Sequence, residues 1–323
     1  MSFLLFDFER QEDNDVNIIS LVNALPGAVA QGLIWGIMAI GVYITFRILD
    51  IADLTVDGSM CVGGAACIMM MLNGHSVWAA LLVAVLAGAL AGFVTGIFHT
   101  MMGIPPILAG ILTQLALWSV NLKIMGKANQ AINVDKYDLL VSLRYIKGVS
   151  ITKNTIFLVA VGNILVILVL YWFFGTELGC ALRATGCNGN MARAQGINTN
   201  FNKVLGLMIS NALVALSSAL LAQYQGFADI NMGRGAIVIG LAAVIIGEAI
   251  FGRIFRNFGF KLLGIALGSV IYYFVLQIVI WLGVDTDLLK MFSAIVVAIF
   301  LAIPYWKSKY FVKPVKRGGN ADA

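Results

Sequence analysis

Charged residues are scarce in this chain. Only 11% of its 323 residues are Asp, Glu, Lys or Arg, whereas soluble chains carry about 25%. Apolar residues make up 60%, and the mean hydropathy is +0.93. Residues 58–122 contain no charged side chain, which leaves room for about three membrane spans of ~20 residues each. These deficits exclude a soluble globular class and predict an integral membrane protein.

The chain also lacks the motifs of the common catalytic and metal-binding classes. It contains no GxxxxGK[ST] phosphate loop, no HExxH and no GxSxG, so the usual groups for nucleotide hydrolysis and proteolysis are absent. Its two histidines, His75 and His99, have no ligand-like spacing to a carboxylate or a cysteine. The four cysteines are spaced unlike CxxC and predict reduced, structural thiols. We therefore predict a protein that is not an enzyme and holds no metal or cofactor of its own.

Basic residues lie in the loops between apolar segments. They form no amphipathic basic face, so the net charge of +5 does not predict a nucleic-acid partner. The tail at 307–323 and the loop at 253–261 are basic and lie two spans apart, which predicts that both are cytoplasmic. Counting back places 179–203 in the cytoplasm and the N-terminal segment 1–23 outside. The loop at 123–153 is then outside, although it holds six basic residues, which favour the cytoplasmic side. Because the rule applies to short loops, the length of 31 residues weakens this objection to the orientation.

The uncharged stretches predict an all-α protein of the cytoplasmic (inner) membrane with about nine transmembrane helices. We place these helices in a single domain at residues 24–306. Two of them, at about 55–72 and 236–251, are short for a hydrocarbon core of about 30 Å.

A weak internal repeat relates the two halves of the chain. The sequence IADLTVDGS at 51–59 matches FADINMGRG at 227–235 at its Ala-Asp pair. Each copy follows a long uncharged helix and precedes a short Gly-rich one. The copies lie five spans apart, and an odd offset inverts the second copy. We predict repeat 1 at about 24–123, a linking span at 154–174, and repeat 2 at about 204–306.

Inverted repeats with broken helices are typical of transporters, because interrupted backbone must face a cavity or protein rather than lipid. We predict that polar residues at the breaks line a translocation pathway, and the compatible alternative is that they end and cap helices. Glu248 lies inside an apolar span near Arg253. It is either part of a gate or subunit contact, or an interfacial acid that reaches water or a basic partner. The predicted pathway residues are Asp53, Asp57, Ser59, Asp229, Asn231 and Glu248.

A polar loop at 179–203 interrupts the apolar chain. Asn188 or Asn190 can cap a short helix there, and Gly196 supplies a left-handed stop. The helix is apolar at Met191 and basic at Arg193, which suits docking into a groove on a soluble partner.

The same loop carries a family pattern. Its LRA at 182–184, the Ala at 192 and GINT at 196–199 resemble the permease subunits of ABC importers of the branched-chain amino acid and ribose class. IADLTVDGS at 51–59 and AAVIIGE at 242–248 are supporting matches. The resemblance implies an all-helical fold of the type II importer kind. It also implies that the loop couples to an ATPase through Arg183, Asn188, Asn190, Met191, Ala192, Arg193, Gln195, Gly196, Ile197 and Asn198.

The resemblance further implies the partners and the cargo. A second permease subunit, most simply an identical one, two ATPase subunits that bind ATP and Mg, and an extracytoplasmic solute-binding protein would complete the transporter. The predicted cargo is a small polar solute, an amino acid in preference to a sugar, moved by alternating access. The alternatives are a secondary transporter driven by an ion gradient, which also uses inverted repeats, and a membrane scaffold without transport activity.

Overall fold

Long helices account for most of the chain in the computed structural model. The structure describes residues 18–134, 136–137, 139–146, 154–252, 254–283 and 288–310. Arg253, most of the predicted outer segment at 1–23 and most of the predicted basic tail lie outside these described residues. In chain order the helices are α1 (Ile18–Tyr43), α2 (Thr55–Leu72), α3 (Val77–Thr100), α4 (Pro106–Met125), α5 (Thr155–Gly175), α6 (Glu177–Cys187), α7 (Gly189–Ala194), α8 (Thr199–Gln225), α9 (Ala236–Phe251), α10 (Phe258–Trp281) and α11 (Leu289–Tyr310), with two short strands, β1 (Asn129–Ala131) and β2 (Phe227–Asp229).

The described helices confirm the predicted all-helical membrane fold. Seven of them are long and apolar enough to cross a membrane, and they include α1, α2, α3, α4, α5, α8 and α10. The helix α9 and the Met291–Phe300 part of α11 are apolar but shorter. The two helices that were predicted to be short are α2 and α9, and both have the predicted bounds.

Glycines allow α3 to pack closely against α8 at the centre of the bundle. Gly88, Gly92 and Gly96 recur every four residues and so lie along one face of α3. A Cβ added at Gly88 or Gly92 would overlap the backbone of Asn211 or Leu207 in α8. The helix axes therefore approach more closely than larger side chains would permit, and α8 is buried along most of its length.

The chain is interrupted twice between a long helix and a short one. After α1, a π-helical turn at Ile44–Ile48 leads into a non-helical segment in which Asp50 adopts a positive φ of 56°. This conformation is uncommon for a residue other than glycine, and it reverses the chain before α2. The second break follows α8, where β2 and a turn precede α9. We refer to residues 49–54 as the first break and to residues 226–235 as the second break.

The two short helices leave these breaks in opposite directions. Their first turns meet, because Asp57 in α2 bonds the backbone at the start of α9. The far end of α2 shares a groove with Tyr137, beyond β1. The far end of α9 meets the end of α1, where Glu248 pairs with Arg47. Opposite directions are what the predicted inverted repeat requires, and the exact repeat boundaries stay a prediction.

The polar loop and the β strands lie at opposite ends of the bundle. The strands pair antiparallel with Gln130 opposite Ala228, and β2 follows the last residue of α8. The polar loop instead precedes the first residue of α8, a helix of 27 residues and hence about 40 Å long. The described part of the loop at 123–153 is therefore far from 179–203, in agreement with the count of spans. Which end faces the cytoplasm stays a prediction.

Candidate functional site

Asp53 is a buried acid at the first break, with only 2% of its surface exposed. One carboxylate oxygen accepts from the Thr55 backbone N–H at 2.9 Å, and the other accepts from Asn211 Nδ2 at 2.7 Å. Ser59 Oγ donates to Asn211 Oδ1 at 2.6 Å. The structure thus places Asp53 and Ser59 in a closed network between α2 and α8 rather than on an open cavity. A role for them in the pathway stays a prediction.

A second buried cluster extends from the same turn of α2 and consists of three threonines. Thr55 Oγ1 and Thr95 Oγ1 share a hydrogen bond of 2.7 Å, and Thr95 Oγ1 donates to Thr113 Oγ1 at 2.9 Å. These bonds join α2, α3 and α4. This cluster could not be predicted from the sequence, because isolated threonines in apolar helices form no periodic signal.

Asp57 caps the short helix α9 from the other repeat. Its two carboxylate oxygens accept from the backbone N–H groups of Gly235 and Ile237, each at 3.1 Å. The first N–H groups of a helix have no acceptor within the helix and need a side chain to cap them. Gly235 is the N-cap residue of α9 and has no side chain that could do so. The structure therefore supports the helix-capping alternative for Asp57, and the cap links the two breaks directly.

Asp229 occupies the position in the second break that Asp53 occupies in the first. Its Oδ1 accepts from the Asn231 backbone N–H at 2.7 Å, which is the same turn over two residues that Asp53 forms with Thr55. Its Oδ2 accepts from Asn129 Nδ2 at 3.3 Å, so that the pair joins the two strands. The shared turn supports the alignment of the two repeat copies.

A cavity of about 140 Å³ lies between α2, α4 and the second break. Asp57, Cys61, Gln114, Trp118, Asn121 and Arg234 are among its lining residues. The side chain of Asn121 is fully buried, and among the described residues neither its Oδ1 nor its Nδ2 has a hydrogen-bond partner. We refer to this space as the break cavity. Of its polar residues, only Asp57 was among the predicted pathway residues.

Asparagine side chains shape the polar loop. Asn188 Oδ1 accepts from the backbone N–H groups of Asn190 and Met191 at 3.1 and 3.0 Å, so Asn188 rather than Asn190 caps α7. The chain then turns at Gly196, whose φ is 80°. Asn198 Oδ1 accepts from the Phe201 backbone N–H at 3.1 Å and caps α8. The predicted short helix is therefore present, with a stop at each end.

The residues of α7 divide into inward and outward groups. Ala192 is buried, and Arg193 Nε donates to Thr199 Oγ1 at 2.8 Å, which fixes α7 to the start of α8. Met191 is 64% exposed, and its neighbour Asn190 is also exposed. An exposed methionine on a rigid helix is a surface suited to contact with a partner. Gln195, Gly196 and Asn198 are exposed as well, and Ile197 is half-buried.

Arg183 anchors α6 to the helices beside it. Its guanidinium donates to the Phe174 carbonyl, and it lies 5.7 Å from the centre of the Phe258 ring. These contacts connect the polar loop to α5 and α10.

Glu248 forms an ion pair with a residue far away in the sequence. Arg47 Nε lies 3.1 Å from Glu248 Oε1, and the two side chains are 60% and 37% exposed. The sequence suggested water or a basic partner for Glu248, and Arg47 is the partner in the structure. Since Arg47 ends the π-helical turn, the pair joins the end of α1 to the end of α9.

We expect Glu248→Gln to change the thermal stability of the purified protein very little. An ion pair this exposed contributes about 0.2–1 kcal/mol. Unfolding can be followed in detergent by tryptophan fluorescence, with Glu177→Gln as the control for loss of a carboxylate. A much larger destabilisation than that of the control would contradict the view that water screens this pair.

These features define a class of protein. Helices of membrane length surround two breaks that meet inside the bundle, and a rigid helical loop is exposed at one end, as in a multi-pass membrane permease. The family model described as "Branched-chain amino acid transport system / permease component" matches residues 25–303. The chain belongs to this family. It is a permease subunit of an ABC importer, and such subunits work in the membrane with an ATPase and a solute-binding protein.

Individual relatives cover most of the chain. It is 40% identical over 281 residues to the "Tyrosine transport system permease protein" of Clostridioides difficile (strain R20291), covering 87% of this chain and 91% of that protein. A protein of Rickettsia prowazekii (strain Madrid E) is 35% identical over 283 residues, with 87% and 98% covered. The "Fructose import permease protein FruF" of Bifidobacterium longum (strain NCC 2705) is 28% identical over 249 residues, with 76% and 68% covered.

Proposed function

We propose that this permease subunit imports an amino acid through the cytoplasmic membrane of a bacterium. The observation that carries the proposal is the similarity to the tyrosine permease, because it is higher in identity and wider in coverage than the similarity to the fructose permease. The sparse charge of the bundle also fits a solute without net charge. A sugar is the second candidate, which the fructose relative favours.

Within that function, α7 is the coupling helix on which an ATPase subunit docks. Asn188 caps its first turn, Met191 is exposed, and Arg193 bonds its end to the start of α8. The end of the bundle with α7 is then cytoplasmic and the end with the strands is outside, so the N-terminus is outside and the C-terminus is cytoplasmic. ATP and Mg bind to the ATPase and not to this chain.

The same proposal pairs two identical permease chains. Closure of two ATPases draws their docked α7 helices together, and the two permeases reorient about a pathway between them. Arg193 bonds α7 to the start of α8, and Asn211 of α8 bonds Asp53 in the first break. Asp57 then joins α2 to the second break, so these bonds offer a route from α7 to both breaks.

Reconstitution tests the proposal. The permease, its ATPase and its solute-binding protein are placed in proteoliposomes, and uptake of radiolabelled L-tyrosine, L-leucine and D-fructose is measured with and without ATP. We expect ATP-dependent uptake of at least one amino acid and none of fructose. Uptake of fructose alone would support the sugar candidate. Uptake that needs an ion gradient and no ATPase would overturn the proposed mechanism.

A further inference from the structure

The break cavity is lined by a buried amide that bonds no other group in the described part of the chain. This amide belongs to Asn121 of α4, which is fully buried and lines the cavity. A buried amide in this state is unfavourable, and the great majority of such groups in folded proteins are bonded. An occupant of the cavity that both donates and accepts hydrogen bonds would satisfy it.

The same cavity presents both signs of charge. Arg234 lines it from the second break, and within the described ranges its guanidinium takes part in no ion pair. Asp57 lines it from α2, and each of its oxygens accepts one backbone N–H. A carboxylate has about four acceptor sites, so Asp57 retains capacity for another donor. The cavity therefore offers a guanidinium, a carboxylate and a free amide.

These three groups match the head group of an amino acid. A carboxylate accepts from Arg234, an ammonium donates to Asp57, and the Asn121 amide can donate to the first and accept from the second. A neutral sugar could bond these groups through its hydroxyls, but it carries no charge that pairs with Arg234 or Asp57. Trp118 also lines the cavity and stays partly exposed, so an apolar or aromatic substrate side chain can pack along its indole ring.

We propose that the break cavity is a substrate subsite within the permease, where the ammonium and carboxylate groups of an α-amino acid bind during transport. The inference rests on the proposed function as an amino-acid importer and adds residues to it. Asn121 and Arg234 are the substrate-binding groups, and Asp57 both caps α9 and receives the ammonium.

Binding to the assembled permease–ATPase complex, in nanodiscs and without its binding protein, tests the subsite. Radiolabelled L-tyrosine is the probe, and two unlabelled analogues compete with it: tyramine, which lacks the carboxylate, and 3-(4-hydroxyphenyl)propionate, which lacks the ammonium. We expect L-tyrosine to compete at least tenfold better than either analogue, since each loses hydrogen bonds to a charged group. Equal competition by either analogue would overturn the assignment of the two charges.

Substitutions separate binding from folding. We expect Asn121→Leu to weaken L-tyrosine binding about tenfold to a hundredfold while leaving the unfolding temperature unchanged or higher, because it removes an unbonded buried amide. Arg234→Gln, at an exposed side chain, should weaken binding similarly, and Arg256→Gln is its matched control for loss of charge. If both cavity variants bind L-tyrosine like the wild type, the cavity holds water alone and the inference is wrong.

The two proposals can fail separately. If wild-type proteoliposomes accumulate an amino acid with ATP, and Asn121→Leu and Arg234→Gln do so with the same KM and rate, the subsite is refuted and the importer function stands. If the wild type imports no amino acid at all, the function itself is refuted. A raised KM in both variants, with ATPase activity still stimulated by the binding protein, is the result that supports the subsite.

Discussion

Met191→Glu is expected to abolish ATP-driven uptake while leaving the permease folded. Met191 is exposed on α7, and the bonds that hold α7 in place come from Asn188 and Arg193. A charge at this position would have to be buried, without a partner, in the groove of the docked ATPase. Burial of an unpaired charge in an interface commonly costs several kcal/mol of binding free energy. Co-purification of the ATPase and substrate-stimulated ATP hydrolysis are the measurements, with thermal unfolding as the test of folding.

Met101→Glu is the matched control for this variant. Met101 is also a highly exposed methionine, and it lies at the end of α3, on the same end of the bundle as α7 but outside the polar loop. The expected result is normal ATPase binding in Met101→Glu and none in Met191→Glu. Equal uptake by both variants would show that α7 does not dock the ATPase.

The position of Met191 makes it a sharper choice than Arg193. Arg193 is also among the residues predicted to couple to the ATPase, and reversal of its charge is the alternative test of docking. In the structure Arg193 donates to Thr199 at the start of α8, so Arg193→Glu would also disturb the loop itself. The uncharged Met191 separates the two effects.

Patterns local in the sequence predicted most of the architecture. Uncharged runs of about 20 residues predicted the helices, because an ionised side chain is costly to place in the hydrocarbon core of a membrane. The bounds of α2 and α9 were found because polar and Gly-rich turns interrupt otherwise apolar chain. The short helix α7 was found because Asn caps and a left-handed Gly are signals that act within a few residues.

Contacts between distant residues could not be predicted in the same way. Asp53 in the first break accepts a hydrogen bond from Asn211 in α8, and Arg47 forms an ion pair with Glu248 near the ends of α1 and α9. Each pairing depends on how whole helices pack, which no local pattern encodes. Asn121 was overlooked for a related reason: a single amide in an apolar span becomes informative only once its burial and its lack of a bond are known.

Asp57→Ala is expected to lower the stability of the permease, because Asp57 supplies the cap that α9 lacks. Gly235, the N-cap residue of α9, has no side chain, and the variant would leave the N–H groups of Gly235 and Ile237 without an acceptor. Loss of a side-chain helix cap costs about 0.5–2 kcal/mol, and because Asp57 is half-buried and bonds two donors we expect a loss of about 1–2 kcal/mol in unfolding free energy. Thermal or denaturant unfolding in detergent would measure it.

Two further variants show whether the cap is the cause. Asp57→Asn keeps one side-chain oxygen as an acceptor, so its stability should fall between those of the wild type and Asp57→Ala. Asp229→Ala removes an acid from the equivalent turn of the other repeat, where it bonds Asn231 and Asn129 near the surface, and we expect a smaller loss. If Asp57→Ala were no less stable than Asp229→Ala, the contact between α2 and α9 would not hold the two breaks together.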